Sequence, residues 1–352
     1  MRITSLDAAS GPAYDAFVDA HPRGSVFHTR AWLENVCRAL GAEPHTLVAW
    51  DGDDPVGALP LARLVSPLRG TRLLSLPFCR YLPPLAADAA TELELVNEAV
   101  AMGRRLDCRF VELRTGPLAS DALPDGAESQ CFFDNWTIDL TAGETECWQR
   151  LHARGTRRAV RFAARGGVAV HEISTPEGYR ILARLDRLTR RRQGVPSHPR
   201  PFVLGLGERF EPAGRALLLL AVRDGEPVAA ELALRHGDTW HGILGVDAGA
   251  ASRGSRASTL LVWEAMRHAI RAGATRFDLG PAHRANLGLS AFKRRFGATA
   301  APADTVTIAL SGAAPDEAAI DRPWIRLARG TLRRLPPPLH DAVSPLLARE
   351  VA

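Results

Sequence analysis

The sequence predicts an α/β (α+β) fold in which mixed sheets flanked by helices are built twice along one chain. Three observations carry this. The 352 residues exceed one typical domain and suggest about two. A hairpin pattern over Val48–Leu59, turning at Asp51-Gly52, recurs over Leu220–Leu232 at Asp224-Gly225, and Asp-Gly between apolar runs is a strong hairpin signal. Each hairpin is followed by an amphipathic helix that feeds a short strand, and this repeated order implies helices packed on a mixed sheet.

In the first half the helix is Glu92–Leu106 and the strand Arg109–Leu113. A turn and a capping-box pattern at Thr141–Glu144 then open a helix predicted over Thr145–Arg165. The expected organisation is therefore a first domain at 1–143, a second at 144–312 and a basic tail at 313–352. A short strand, Val168–Ile173, precedes Thr175-Pro176-Glu177, which combines an N-cap, a proline at the first helical position and an acid in the first turn. That helix is expected to run to Arg192. In the second half the helix and strand are Ala257–Ala272 and Thr275–Leu279. The Pro/Arg-rich tail holds Arg322–Arg329 and Leu332–Pro338, and it fits either short amphipathic helices on an anionic membrane surface or a segment docked on its own domain.

Composition narrows the class. Hydrophobic residues make up 46% and charged residues 24%, as in ordinary soluble proteins, and no stretch approaches the ~20 apolar residues of a membrane span. Residues 1–7 contain no apolar run of the kind a signal peptide needs. The five cysteines lack C-x-x-C spacing, so they read as buried thiols in a reducing cytoplasm, with no metal site. The expected location is cytoplasmic, with peripheral contact at the inner membrane face through the tail.

Charge is placed unevenly. Between Arg150 and Arg192 twelve arginines face only Glu172, Glu177 and Asp186, an excess that would steer in a polyanion. Arg150, Arg154, Arg157, Arg161 and Arg165 recur at helical spacings, as do Arg180, Arg184, Arg187 and Arg191. Two solvated faces are one reading; two faces with few acids to pair with, open to an anionic ligand, are the other.

Familiar catalytic signatures are missing: no Gly-x-Ser-x-Gly elbow, no H-E-x-x-H pair, no Walker loop. Before the helix at Ala257 the loop Ser252-Arg253-Gly254-Ser255-Arg256 has residues suited to phosphate, yet Arg256 stands where a coenzyme A pyrophosphate loop needs a glycine for close backbone approach. The other singular feature is Lys293. Of 44 basic residues it alone is lysine, and a position that stays lysine under such arginine bias fits a need for a compact ammonium that can act as a point charge or change protonation.

Lys293 lies in Gly288–Gly297, just after the strand Thr275-Arg276-Phe277-Asp278-Leu279-Gly280. With Phe27-His28-Thr29-Arg30-Ala31-Trp32, Arg157-Arg158-Ala159-Val160-Arg161 and Thr189-Arg190-Arg191-Arg192-Gln193-Gly194, these segments resemble the FemAB/FemX family over roughly residues 24–310. Its members have two tandem GNAT-like domains and transfer an amino acid from aminoacyl-tRNA to an amine of a peptidoglycan precursor. The resemblance implies that Lys293 stabilises the charge developing on the acyl carbonyl oxygen, that Phe292 packs the acceptor end, and that Asp278 serves as base or orienter for the attacking amine. It implies a substrate phosphate on Arg192, with Arg157, Arg158, Arg161, Arg191, Arg38 and Tyr81 completing the substrate-binding set. The sequence departs from the family in having only Arg38 near its N-terminal phosphate lysine, Pro281 where many relatives carry arginine, and no coiled-coil arm.

These readings lead to an N-acyltransferase working in a cleft between two halves. It needs no cofactor beyond its co-substrate, aminoacyl-tRNA or an acyl-coenzyme A thioester, and its acceptor is an amine on a phosphate- or lipid-linked cell-envelope precursor. The alternatives are a coenzyme A-dependent acetyltransferase using Arg253, Gly254, Ser255 and Arg256, and a non-catalytic RNA-binding protein, for which Phe162 and Tyr179 are the only aromatics interleaved with the arginines.

Overall fold

The computed structural model describes residues 1–79, 81–116, 123–124, 126–311 and 323–351. The start of the expected tail, 313–322, lies outside them. Chain contacts define two compact units. Unit 1 comprises Met1–Asn135, Ala301–Ala318 and Arg349–Ala352, and unit 2 comprises Trp136–Ala300 and Ala319–Ala348.

From the N-terminus the elements are β1 (Arg2–Ser5), α1 (Gly11–Ala20), α2 (Arg30–Leu40), β2 (Glu43–Pro44), β3 (Leu47–Asp51), β4 (Asp54–Leu59), β5 (Leu61–Ser66) and β6 (Gly70–Ser75). They continue with β7 (Leu85–Ala86), α3 (Ala89–Arg105), β8 (Phe110–Thr115), β9 (Ala127–Asp139), α4 (Gly143–Arg150), α5 (Arg158–Arg165), β10 (Ala169–Glu172), α6 (Pro176–Gln193) and α7 (Arg200–Phe210). The last are β11 (Ala216–Arg223), β12 (Glu226–His236), β13 (Thr239–Asp247), α8 (Ala250–Ser255), α9 (Ala257–Arg271), β14 (Arg276–His283), α10 (Leu287–Arg294), β15 (Thr299–Ala309), α11 (Pro323–Arg334) and α12 (Pro337–Val351).

In unit 1 the predicted hairpin is β3–β4, with Gly52 at φ +61° in its two-residue turn. The predicted helix is α3, whose N-cap Asp88 accepts from the Thr91 N–H. It buries Leu95, Val96, Ala99 and Val100 against Leu47, Leu59 and Val111. Strand β8 lies between β6, parallel to it, and residues 304–309 of β15, antiparallel to it. That pairing explains why the compact units are cut at 135/136 and 300/301, whereas 143/144 and 312 were expected: strands paired across nearly two hundred residues leave no local mark in the pattern.

Unit 2 carries β10-β11-β12-β13 in antiparallel succession and β14 parallel to β13. The β11–β12 turn has Asp224 at φ 53° and Gly225 at φ 82°, the two positive values a type I′ turn requires. Helices α5 and α9 cover one face, where Val160, Leu260, Leu261 and Met266 join Leu217, Leu219, Ala229 and Ala233. The single helix expected over 145–165 is instead broken. Leu151 is extended (φ −61°, ψ 138°) and buried, and a π-helical turn, Ala153–Arg157, follows before α5. Burying Leu151 forces the break, which the Arg295 carbonyl stabilises by accepting from the His152 N–H.

Helix α6 matches its predicted start, capped by Thr175, and ends on Gly194 at φ +70°. The expectation that its arginines lack acidic partners is corrected. Arg180 pairs with Glu177, Arg187 with Asp341, Arg190 with the buried Asp186, and Arg192 with Asp247. Arg191 donates to the Leu335 carbonyl. Glu177 and Asp186 lie on α6 itself, but Asp247 comes from β13 and Asp341 and Leu335 from the tail, and local charge counting misses these. The tail therefore docks on unit 2, where the Ser344 hydroxyl also accepts the Ser197 N–H and His340 meets the Val195 carbonyl. No described helix is long and apolar enough to cross a membrane.

Gly194 is the hinge of that docking: a Cβ there would sit 2.4 Å from the Arg329 carbonyl oxygen, and its positive φ disfavours any side chain. Gly194→Ala is expected to lift α11 away, costing about 1–2 kcal/mol from φ alone. Limited trypsin digestion would then cut first at Arg329, Arg333 or Arg334, with unit 2 still folded by circular dichroism.

Candidate active site

Strands β13 and β14 pair only over Thr239–His241 and Arg276–Asp278. Beyond Asp278 they part, and three features fix how. A bulge in β13 falls between Gly242 and Leu244, where the β12–β13 register slips. In β14 the Asp278 Oδ1 accepts the Gly280 N–H at 2.8 Å, and Gly280 takes φ +74°, which a side chain would strain. The turn presents two successive carbonyls, those of Gly280 and Pro281, to one side chain.

That side chain is Lys293, in the last turn of α10, whose N-terminus is capped by the Asn286 side chain. The ammonium donates to the Gly280 oxygen at 2.7 Å and to the Pro281 oxygen at 2.8 Å, and the residue is 5% exposed. An ammonium has three protons, so the fold leaves one for a ligand. Burial pushes Lys293 down to about 8, against the opposing charges of Asp278 and Glu231.

Glu231 was not singled out from the sequence. It is a lone acid in the apolar run Val228–Leu234, and that was the available signal. Strand alternation puts it on the face of Ala229 and Ala233, which α9 covers. A Cβ on Gly245, its cross-strand partner, would lie 2.8 Å from its Oε2, and one on Gly242 would lie 3.4 Å from its Oε1. Two glycines thus make room for the carboxylate. Burial pushes Glu231 up to about 8, with Lys293 pulling the other way. The Asp278 oxygens are otherwise engaged: Oδ2 meets His241 Nδ1 at 3.1 Å while Oδ1 holds Gly280.

Phe292 points the other way from its neighbour, onto a cavity of about 540 Å³. Arg154, Arg158, Arg256 and Arg295 line it together with Phe162 and Phe292, and no acid is among its lining residues. The π-helical turn shapes one wall, where the His152 ring accepts the Gly155 N–H and the Thr156 hydroxyl bonds the Arg295 carbonyl. Arg256 joins α8 to α9 at φ 61°, a conformation that favours glycine. Of the loop expected over 252–256, residues 252–255 are in fact helical, the end of α8, and the Ser255 hydroxyl is spent on the Ala251 and Ser252 carbonyls.

Unit 2 therefore brings together Lys293, Phe292 and Asp278, and places Arg158, Gly254 and Arg256 on the cavity. Arg157 sits half-buried in the π-helical turn, Arg161 lies over the Trp148 ring at 5.4 Å, and Arg253 is exposed on α8. Arg191 and Arg192 are the paired α6 residues described above. In unit 1, Arg38 is exposed in the last turn of α2, and the Tyr81 ring packs against Gly116.

Unit 2 thus holds a buried ammonium coupled to two carboxyl groups, and the residue before it, Phe292, lines an arginine-walled cavity. Residues 150–294 match the family model described as acetyltransferase (GNAT) domain. The fold is similar to that of FemX, at 15% identity and TM-score 0.69 over 94% of this chain and all of that one. It is also similar to the C-terminal domain of a putative lysylphosphatidylglycerol synthetase from Agrobacterium fabrum (16%, TM-score 0.56, 85% and 92% covered). A third likeness is to a tandem GNAT protein from the clavulanic acid biosynthesis pathway (15%, TM-score 0.53, 89% and 99% covered). Comparison with curated proteins gives no match. The domain match supports an acyltransferase, and the fold is similar to that of tandem GNAT-like proteins such as FemX.

The Lys293–Glu231 pair has a stability signature. Glu231 holds its proton more tightly folded than at its ordinary 4.5, so the stability it contributes is complete below pH 4.5 and is lost as pH rises through 8. Lys293 is depressed from 10.5, so its contribution is complete above pH 10.5 and is lost as pH falls through 8. The combined penalty peaks near pH 8. The neutral double variant Lys293→Met/Glu231→Gln is expected to be about 1–4 kcal/mol more stable there than the parent. Urea unfolding at pH 5, 8 and 10 would show the gain narrowing on both sides.

Proposed function

We propose that this protein is a FemAB-type N-acyltransferase that moves an acyl or aminoacyl group from a phosphate-bearing carrier, aminoacyl-tRNA in the first instance, to an amine of a cell-envelope precursor. The observation that carries the reading is Lys293, buried on two carbonyls with one proton unspent and following Phe292, which lines the arginine cavity. The carrier phosphates lie along Arg154, Arg158, Arg256 and Arg295, and the acyl carbonyl reaches the parting of β13 and β14. There the third Lys293 proton meets the oxygen as the carbonyl carbon becomes tetrahedral. Phe292, on the cavity wall, shields the ester from water.

A preorganised cation at a developing oxyanion is worth about 3–4 kcal/mol. Lys293→Met should therefore lower kcat by about 10²–10³-fold while leaving donor affinity unchanged, since the phosphates are held elsewhere. Lys293→Arg should not restore the rate, because a planar fork does not fit the two carbonyls that hold the ammonium. Retention of full rate by Lys293→Met in single-turnover transfer would remove the mechanism.

The coenzyme A reading has one observation in its favour, the acetyltransferase domain match over residues 150–294. Calorimetry separates the donors. With an RNA carrier, binding of charged tRNA should weaken steeply with salt, and Arg256→Gly should flatten the slope by about one counterion. With coenzyme A, Arg256→Gly should tighten acetyl-coenzyme A, because glycine relieves the positive φ and opens backbone amides to the pyrophosphate. Submicromolar coenzyme A binding without tRNA binding would replace the preferred donor.

A further inference from the structure

We propose that Glu231 is a catalytic residue, the proton acceptor for the attacking amine, an assignment that rests on the acyltransfer reading above. The carboxylates near Lys293 divide by what holds them. Both Asp278 oxygens are committed, one to His241 and one to the Gly280 N–H, so Asp278 positions the turn that carries Lys293. Glu231 is 8% exposed, and among the described residues its carboxylate accepts no hydrogen bond. Neither of its oxygens is among the sealed, unpartnered atoms of the interior, so the carboxylate stays accessible, and with no partner from the fold it is open to one that arrives with the substrate. Gly242 and Gly245 keep the space over β13 clear for it. The charged group that acts on it directly is Lys293 from α10, to which Asp278 on β14, paired with His241 on β13, is also coupled.

The step balances without a further reactant. The amine lone pair attacks the acyl carbonyl, an N–C bond forms, and the carbonyl electrons move to oxygen, where the Lys293 ammonium meets them. Glu231 takes the proton that the now positive nitrogen must lose. When the oxyanion collapses, the bond from carbon to the carrier's oxygen or sulfur breaks, and the proton on Glu231 passes to that leaving group. The products are an amide and a free carrier alcohol or thiol, with Glu231 again a carboxylate and Lys293 still charged.

The experiment assays the full chain with alanyl-tRNA, seryl-tRNA and acetyl-coenzyme A as donors, and lysyl peptides, amino sugars and ethanolamine phospholipid as acceptors. In the parent, kcat/KM should rise with pH until about 8, as Glu231 loses its proton, and fall beyond it as Lys293 does. Glu231→Gln, which keeps the shape, should lower kcat by about 10²-fold or more, leave the donor KM within about twofold, and abolish the rising limb. Gly245→Ala presses on the carboxylate without changing its charge and should cost about tenfold with the melting temperature retained. Should Glu231→Gln fail to fold, Gly245→Ala carries the test, and full activity in that variant overturns the assignment. A parent that transfers normally beside a Glu231→Gln variant with the same rate and pH profile sinks Glu231 alone. A parent that transfers from none of the donors removes the acyltransfer reading and Glu231 with it.

Discussion

One ammonium group governs the arrangement of unit 2. Lys293 is held by two backbone carbonyls at the point where β13 and β14 part, and several local features exist to permit this. Asp278 bends β14 so that Gly280 and Pro281 both offer their oxygens, and Gly280 is the residue that tolerates the bend. Removing a charge from water costs several kcal/mol, which carbonyl dipoles, the C-terminal end of α10 and two nearby carboxyl groups offset only in part. The depressed proton affinity of Lys293 expresses the part left over. A protein selected for stability alone would place methionine there.

The arginines show how one sequence pattern meets two fates. On α6 they are absorbed into structure, joining that helix to the tail and to β13 through Asp341, Asp247 and the Leu335 carbonyl. Along the break between α4 and α5 they stay free: among the described residues Arg154 and Arg158 have no acidic partner and instead wall the cavity with Arg256 and Arg295. The difference lies in what faces each helix. The face of α6 meets acids from remote segments, whereas α5 turns its arginines outward and keeps Val160 and Ala163 for the core. A local positive field survives only where the fold supplies no counter-charge, and that is where an anionic carrier gains most from binding.

Much of this was legible in advance where the governing interactions are short in sequence. Asp-Gly turns marked both hairpins, Thr175-Pro176-Glu177 marked the start of α6, and the one lysine marked the buried ammonium. What escaped depends on distant partners. The helix expected over 145–165 breaks because Leu151 is drawn into the core and Arg295 supplies a carbonyl to the freed backbone, neither visible in the helical pattern. Glu231 escaped for the same reason, since its meaning comes from Lys293, 62 residues later. Its isolation among apolar neighbours was a clue that only a second, buried charge could interpret.

Why lysine persists at this one position follows from the geometry. An arginine would keep its charge at any relevant pH and spread it over a planar fork, with donors that do not converge on two adjacent carbonyls while leaving a third proton free. An ammonium is compact enough to sit between the Gly280 and Pro281 oxygens and still present that proton. Burial also pushes it down to about 8, so its charge and that of Glu231 respond to one another as pH changes. In a chain whose other 43 basic residues are arginine, the demand for a small, tunable cation arises where strands part, and the sequence meets it with its only lysine.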